Sequence, residues 1–302
     1  MPQLTANGIT IEYDERGNPS DPTMLMIMGV GAQMTFWPDE LLDELAGHGF
    51  RVIRFDNRDI GLSHKFHGVK SPGILKLLIW DRLRLPINTP YSLSDMADDA
   101  IGVLDALAVE RAHVVGASMG GMIAQHAAIR HPERLRSLTS VMSTTGHRRL
   151  PPAGKHAMRA LTRRPSSMEE DALVAHGKMV ARAIGSPGFP PDEGRLEERV
   201  RANVRRSVYP EGFIRQMGAI VADGDRRERL RQVKAPTLVL HGDDDPLIPV
   251  AHAHDTAAHI PQARLVTFPG WGHDLPLAMV EPVARTIAEH ARSVESERAA
   301  AA

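Results

Sequence analysis

Three separated stretches carry the side-chain types that nucleophilic catalysis uses. Gly116-Ala117-Ser118-Met119-Gly120 is a G-x-S-x-G sequence, three aspartates (Asp243, Asp244 and Asp245) follow Gly242, and His273 stands in Gly270-Trp271-Gly272-His273-Asp274. A serine hydroxyl is a weak nucleophile at neutral pH. It needs an imidazole to take its proton, and the imidazole needs a carboxylate to hold its tautomer. The chain order serine, aspartate, histidine is one in which successive strand ends of a doubly wound sheet can present such groups. The chemistry expected is acyl transfer, with Ser118 as nucleophile, His273 as base and one of the three aspartates as orienting acid. A G-x-S-x-G match alone describes an ordinary turn about as often as a nucleophile, so its weight comes from these partners.

The elements that would position them follow from the periodicity. Apolar runs at 9–13, 23–28, 51–55 and 112–115 read as strands, and 38–46 and 94–107 as helices. The run at 112–115 passes through Gly116 into a helical pattern at 119–130, which stops at His131-Pro132. Strands are expected again at 137–142, 237–241 and 264–268, and the last two end at the aspartates and at the His273 loop. Strand, tight turn, helix and strand in succession predict an α/β fold with a mostly parallel, doubly wound sheet. Strand signals stop between 145 and 224, where prolines punctuate helical pieces. The expected organisation is a core of 1–144 and 225–295, an inserted helical cap or lid of 145–224, and a frayed tail of 296–302.

The glycines around Ser118 have a physical reason. A nucleophile held in a strained strand-to-helix turn leaves no room for flanking side chains. The helix behind Ser118 points unpaired N–H groups at the place where negative charge develops, and the Met119 N–H is one expected donor to an oxyanion. Of the other histidines, His252, His254 and His259 lack the i, i+4 spacing of a zinc pair, while His113 and His241 read as packed strand residues. Three consecutive aspartates diverge in direction and make a poor cation site. Gly29-Val30-Gly31 with Asp56 partly mimics a dinucleotide fingerprint, but Met34 holds the third glycine position.

Composition narrows the classes further. Of 302 residues, 36 are Lys or Arg and 37 Asp or Glu, a net charge of -1, so no field gathers nucleic acid or an acidic membrane. There is no cysteine, which closes disulfide frameworks, thiolate metal sites and cysteine nucleophiles. The amino terminus has no secretory pattern, so a cytoplasmic location is expected. The apolar stretch at 73–80 is far below the roughly 20 residues of a membrane span. The longer segment 73–86 reads either as part of a lid or as an amphipathic helix on the core with Arg82 and Arg84 outward. The insertion has more basic than acidic residues and the remainder the reverse, which favours their docking. Arg199, Arg201, Arg205 and Arg206 read as the solvated face of a helix.

The chain resembles an α/β-hydrolase, and within that fold the esterases related to aclacinomycin methylesterase. The resemblance runs through Trp37-Pro38-Asp39-Glu40, the segment from Val52 to Ser63 with Asp56-Asn57-Arg58-Asp59-Ile60-Gly61, the Ser118 turn, and Ala235 to Pro249. It thins out in the insertion. The family pattern implies that the acid is Asp245, just before Pro246, with Asp243 and Asp244 as solvent-facing turn residues. It also implies a second oxyanion donor in the loop after the strand at 23–28. That loop reads His-Gly in the family and Met28-Gly29-Val30-Gly31 here, which points to the Val30 N–H. Haloalkane dehalogenases and epoxide hydrolases share the fold but need aspartate where Ser118 stands.

The function expected is a serine carboxylic ester hydrolase for small to medium apolar esters, with no cofactor or metal, acting on a small-molecule ester as a monomer or dimer. Phe36, Trp37, Met142, Trp271 and Leu275 are expected to line the pocket. A slow, ligand-sensing relative, or a cofactor-free perhydrolase, thioesterase or lactonase, would use the same residues.

Overall fold

Asn7-Gly8 sits between two short strands, and both residues take positive φ (48° and 77°), the backbone of a tight hairpin turn. In the computed structural model, which describes residues 2–83 and 85–301, this turn joins β1 (Gln3–Ala6) to β2 (Ile9–Arg16). The remaining strands are β3 (Thr23–Ile27), β4 (Arg51–Phe55), β5 (Ala112–Ala117), β6 (Leu135–Val141), β7 (Thr237–Gly242) and β8 (Arg264–Phe268). They form one eight-stranded sheet in the order β1-β2-β4-β3-β5-β6-β7-β8. The β1–β2 and β2–β4 pairs are antiparallel and all later pairs are parallel. β3 and β5, at the centre, are buried along their whole length, as strands covered on both faces must be.

Helices cover both faces. In chain order they are α1 (Asp39–Gly47), α2 (Ile74–Arg82), α3 (Leu93–Ala106), α4 (Met119–Arg130), α5 (Lys155–Thr162), α6 (Glu170–Ile184), α7 (Glu193–Arg206), α8 (Pro210–Asp223), α9 (Arg227–Leu230), α10 (Ala251–His259) and α11 (Leu277–Ala301). Leu41, Leu42 and Leu45 of α1 pack with Val283 and Ile287 of α11 against one face. Leu93, Met96 and Leu104 of α3 pack with Ile123 and Ala127 of α4 against the other. The start of α3 is fixed by a reciprocal cap, in which the Ser92 hydroxyl accepts the Asp95 N–H and the Asp95 carboxylate accepts the Ser92 N–H. Among the described residues no helix is long and apolar enough to cross a membrane.

Helices α5 to α8 occupy the stretch between β6 and β7, and α8 packs on α2. Arg82 is exposed, while Arg84 lies outside the described residues. So does Ala302, and the expected fraying from 296 falls partly on side chains outside them as well.

One expectation for the arginines needs correction. Arg201 and Arg205 do lie in a surface network with Glu170, but Arg206 reaches 2.7 Å from Asp56, a fully buried carboxylate of the core. Arg215 likewise forks onto buried Asp59. The helical periodicity shows which side of α7 is polar, but not that its last turn sits on a buried acid.

Candidate active site

β5 delivers Ser118 to the carboxyl edge of the sheet, where the chain turns abruptly into α4. Ser118 takes φ +57° and ψ -120°, a conformation that costs a non-glycine residue about 1–3 kcal/mol. The neighbours leave it no alternative. A Cβ on Gly116 would stand 2.1 Å from the Gly120 carbonyl oxygen, and one on Gly120 would stand 2.0 Å from that of Ile27. The Ser118 N–H donates to the Val141 carbonyl at 2.9 Å, and the Ser143 hydroxyl donates to the Ser118 carbonyl at 2.8 Å. The strained turn is therefore clamped on both sides.

The Ser118 Oγ lies 3.0 Å from His273 Nε2, and His273 Nδ1 lies 2.7 Å from Asp245 Oδ2. Asp245 Oδ1 accepts the N–H groups of Leu247 and Ile248, both at 2.8 Å. With no proton of its own, this carboxylate must accept from His273, which puts the imidazole proton on Nδ1 and leaves the Nε2 lone pair facing the serine. Burial pushes the Asp245 carboxyl up, but the electrostatic pull of the His273 ring, its hydrogen bond to the carboxylate and the nearby His241 ring outweigh it and hold the group well below the ordinary carboxylate range.

The three aspartates separate clearly. Asp243 and Asp244 are exposed and Asp245 is buried. Asp244 still has a structural task, because its Oδ2 accepts the Gly270 N–H at 2.7 Å at the base of the His273 loop.

Met119 begins α4, where no intrahelical acceptor exists for its N–H. Gly29 lies directly over the serine, since a Cβ there would be 3.1 Å from Ser118 Cβ. The Gly29 carbonyl accepts the Ala32 N–H at 3.3 Å, so the trans peptide that bears the Val30 N–H points that group the opposite way. Asp56 is engaged by the N–H groups of Met34 and Leu62, each at 2.8 Å, and by Arg206, which leaves its carboxylate committed to the fold. Among the described residues no three acidic or histidine side chains converge as a metal cluster.

The expected pocket residues fall into one apolar cluster. Trp37 and Trp271 are fully buried, Met142 and Leu275 nearly so, and Phe36 packs partly buried against them beside Ala117. The Trp271 Nε1–H donates to the Asp274 carbonyl at 2.7 Å.

Several residues around the site escaped the sequence reading. His241 Nε2 donates to the Ile248 carbonyl at 2.7 Å and stands 3.4 Å from Asp245 Oδ2. The Ile184 carbonyl accepts the His273 N–H at 2.8 Å, and the Ser186 hydroxyl accepts the Gly272 N–H at 2.9 Å. Ser186 also donates to Asp274, whose carboxyl burial pushes upward. Only the Ser186-Pro187-Gly188 break signalled this contact, and it reads equally as helix punctuation.

This fold and this arrangement define a class. The chain belongs to the alpha/beta hydrolase fold family, whose pattern matches residues 22–277. It is 30% identical to Rhodomycin D methylesterase DauP of Streptomyces sp. (strain C5), over 96% of this chain and 97% of that one. The same figures hold for Rhodomycin D methylesterase DnrP of Streptomyces peucetius. Among solved structures, the meta-cleavage product hydrolase CumD of Pseudomonas fluorescens IP01 superposes with a TM-score of 0.75 over 97% of this chain and 98% of that one, at 20% identity. That last likeness concerns the fold. An enzyme that hydrolyses esters is the activity class these relatives define.

Proposed function

We propose that the protein is a serine carboxylic ester hydrolase acting on small to medium apolar esters, with Ser118, His273 and Asp245 as its catalytic residues and residues 145–224 as a cap over them. The observation that carries this reading is the unbroken hydrogen-bond relay from Ser118 Oγ through His273 to Asp245. In the first step His273 Nε2 takes the serine proton while Oγ bonds to the ester carbonyl carbon. The carbonyl oxygen becomes an oxyanion held by the Val30 and Met119 N–H groups. The alkoxide leaves with the proton from His273, and water, deprotonated by the same imidazole, cleaves the acyl-enzyme and restores the serine. Nothing beyond this chain, the ester and water is consumed.

The methylesterase relatives favour methyl esters of larger acids as first substrates after chromogenic ones. The test is turnover of p-nitrophenyl and methyl esters by the native protein and by Ser118→Ala, His273→Ala and Asp245→Asn. Losses of roughly 10⁴-fold in kcat for each variant are expected. A native protein that releases one equivalent of product and stops would refute hydrolytic turnover and favour a ligand-sensing role.

A further inference from the structure

We propose that Gln216, on α8 of the insertion, is a positioning residue that fixes the direction of the Val30 N–H toward the carbonyl oxygen of a bound ester; this rests on the acyl-transfer reading above. The Gln216 side chain is fully buried, and both ends of its amide are spent on backbone. Its Oε1 accepts the Gly31 N–H at 2.8 Å and its Nε2 donates to the Arg58 carbonyl at 2.9 Å. Glutamine and asparagine are the neutral side chains with an acceptor and an NH₂ donor on one planar head, and only glutamine adds a second methylene of reach.

Within itself the loop is held at the Val30 peptide by the Ala32 N–H on the Gly29 carbonyl, a long bond of 3.3 Å. Gly31 sits at φ +68°, and glycine permits wide rotation of the peptides on either side of it. On the upstream side the Met28 carbonyl is tied by Asn57 Nδ2 at 2.8 Å. On the downstream side the tie is Gln216. Between these two anchors lie Gly29, pressed on Ser118, and the Val30 peptide. Phe213, one turn earlier on α8, covers Gly31 so closely that a Cβ there would be 2.6 Å from its ring.

The helix carrying these groups is itself immobilised. Arg215 forks onto Asp59 with two bonds of 2.8 Å, and Gly212 packs on the Asp59 carbonyl, where a Cβ would come within 2.2 Å. The insertion thus reaches under the oxyanion loop and sets its peptide planes. A group that acts only on the developing oxyanion changes kcat rather than ground-state binding.

The experiment compares the native protein with Gln216→Met, which keeps length and loses both hydrogen bonds, and with Gln216→Glu, which keeps the acceptor for Gly31. Read together are kcat and KM for a p-nitrophenyl ester, the inhibition constant of a trifluoromethyl ketone with the same acyl chain, and the ¹⁹F signal of its hemiketal with Ser118. Expected for Gln216→Met are a fall in kcat of about tenfold or more, KM within about threefold, and a matching weakening of the ketone, with partial recovery in Gln216→Glu. If Gln216→Met does not fold, Gln216→Asn, one methylene too short to span both partners, carries the same expectation. A folded Gln216→Met or Gln216→Asn with native kcat and native ketone affinity overturns the proposal and leaves the esterase reading intact. A native protein that neither turns over esters nor forms the hemiketal overturns both.

Discussion

Replacing Asp245 by Asn changes one atom, and the structure determines which way the new amide faces. Oδ1 accepts two N–H groups, from Leu247 and Ile248 at 2.8 Å each, while Oδ2 accepts one, from His273 Nδ1 at 2.7 Å. An asparagine therefore keeps its oxygen at the doubly bonded position and presents its NH₂ to His273. A donor facing Nδ1 forces the imidazole proton onto Nε2, where it points at Ser118 instead of taking the serine proton. The base is then present, correctly placed and in the wrong tautomer. Loss of a triad acid in this manner costs about 10⁴ in kcat, roughly 5.5 kcal/mol of transition-state stabilisation. The assay is steady-state hydrolysis of a p-nitrophenyl ester between about pH 7 and 9, with circular dichroism to show that the fold is retained. A folded Asp245→Asn enzyme within tenfold of native kcat would refute the argument, and would direct attention to Asp244 or to His241 as the group that orients the imidazole.

Gly120→Ala should destabilise the protein by about 1–3 kcal/mol or more and remove ester hydrolysis, because its Cβ would be built 2.0 Å from the Ile27 carbonyl oxygen; urea unfolding measures the first effect. Asp223→Asn should cost about 3–5 kcal/mol at pH 7 by leaving Arg226, which is 1% exposed, without its ion pair. Burial pushes the Asp223 carboxyl up, yet His126 and Arg226 hold it well below its ordinary value, so its contribution is complete above the unfolded pKa near about 3.9 and is lost as pH falls below that. The gap between native and Asp223→Asn stabilities should accordingly narrow between pH 7 and pH 3. A gap that stays constant would show that the pair is not what holds α8 and α9 to α4.

Much of this was legible because catalysis and folding ask the same residues for different things. The G-x-S-x-G turn announces itself through glycines that steric contact requires, and β5 and α4 through an apolar run and a helical pattern on either side. The hairpin β1–β2 had its signal in Asn7-Gly8, a turn pair in which both residues take positive φ. What stayed hidden depends on contacts distant in sequence. His241 reads as a strand-end residue, and nothing local reveals that its ring turns toward Asp245. Arg206 reads as one arginine of a polar helix face, and only the docking of α7 puts it on Asp56. Gln216 lies in an amphipathic helix with no motif around it. The family resemblance singles out Asp245, the aspartate that faces His273, whereas periodicity alone treats all three alike.

The contacts of the insertion also bear on how a substrate enters. Three loops around the site, those of Asp245, His273 and Val30, are bonded to the insertion, the first two through backbone and the third through the Gln216 side chain. The Gly154 N–H donates to the Pro246 carbonyl at 2.7 Å beside Asp245, the His273 N–H donates to Ile184 at 2.8 Å, the Gly188 N–H donates to Gly270 at 2.9 Å, and Gly31 donates to Gln216. Gly188 and Gly270 approach so closely that a Cβ on the former would lie 2.7 Å from the Cα of the latter. At about 1 kcal/mol net per bond, swinging the insertion away as one body would disfavour the open form by roughly 10³-fold, before the Arg206 and Arg215 ion pairs are counted. It would also release the three loops whose alignment the chemistry needs. An insertion built in this way acts as a brace, and substrate passage is expected to involve motion of single side chains or of one connecting loop while α8 and the 184–188 turn stay in place.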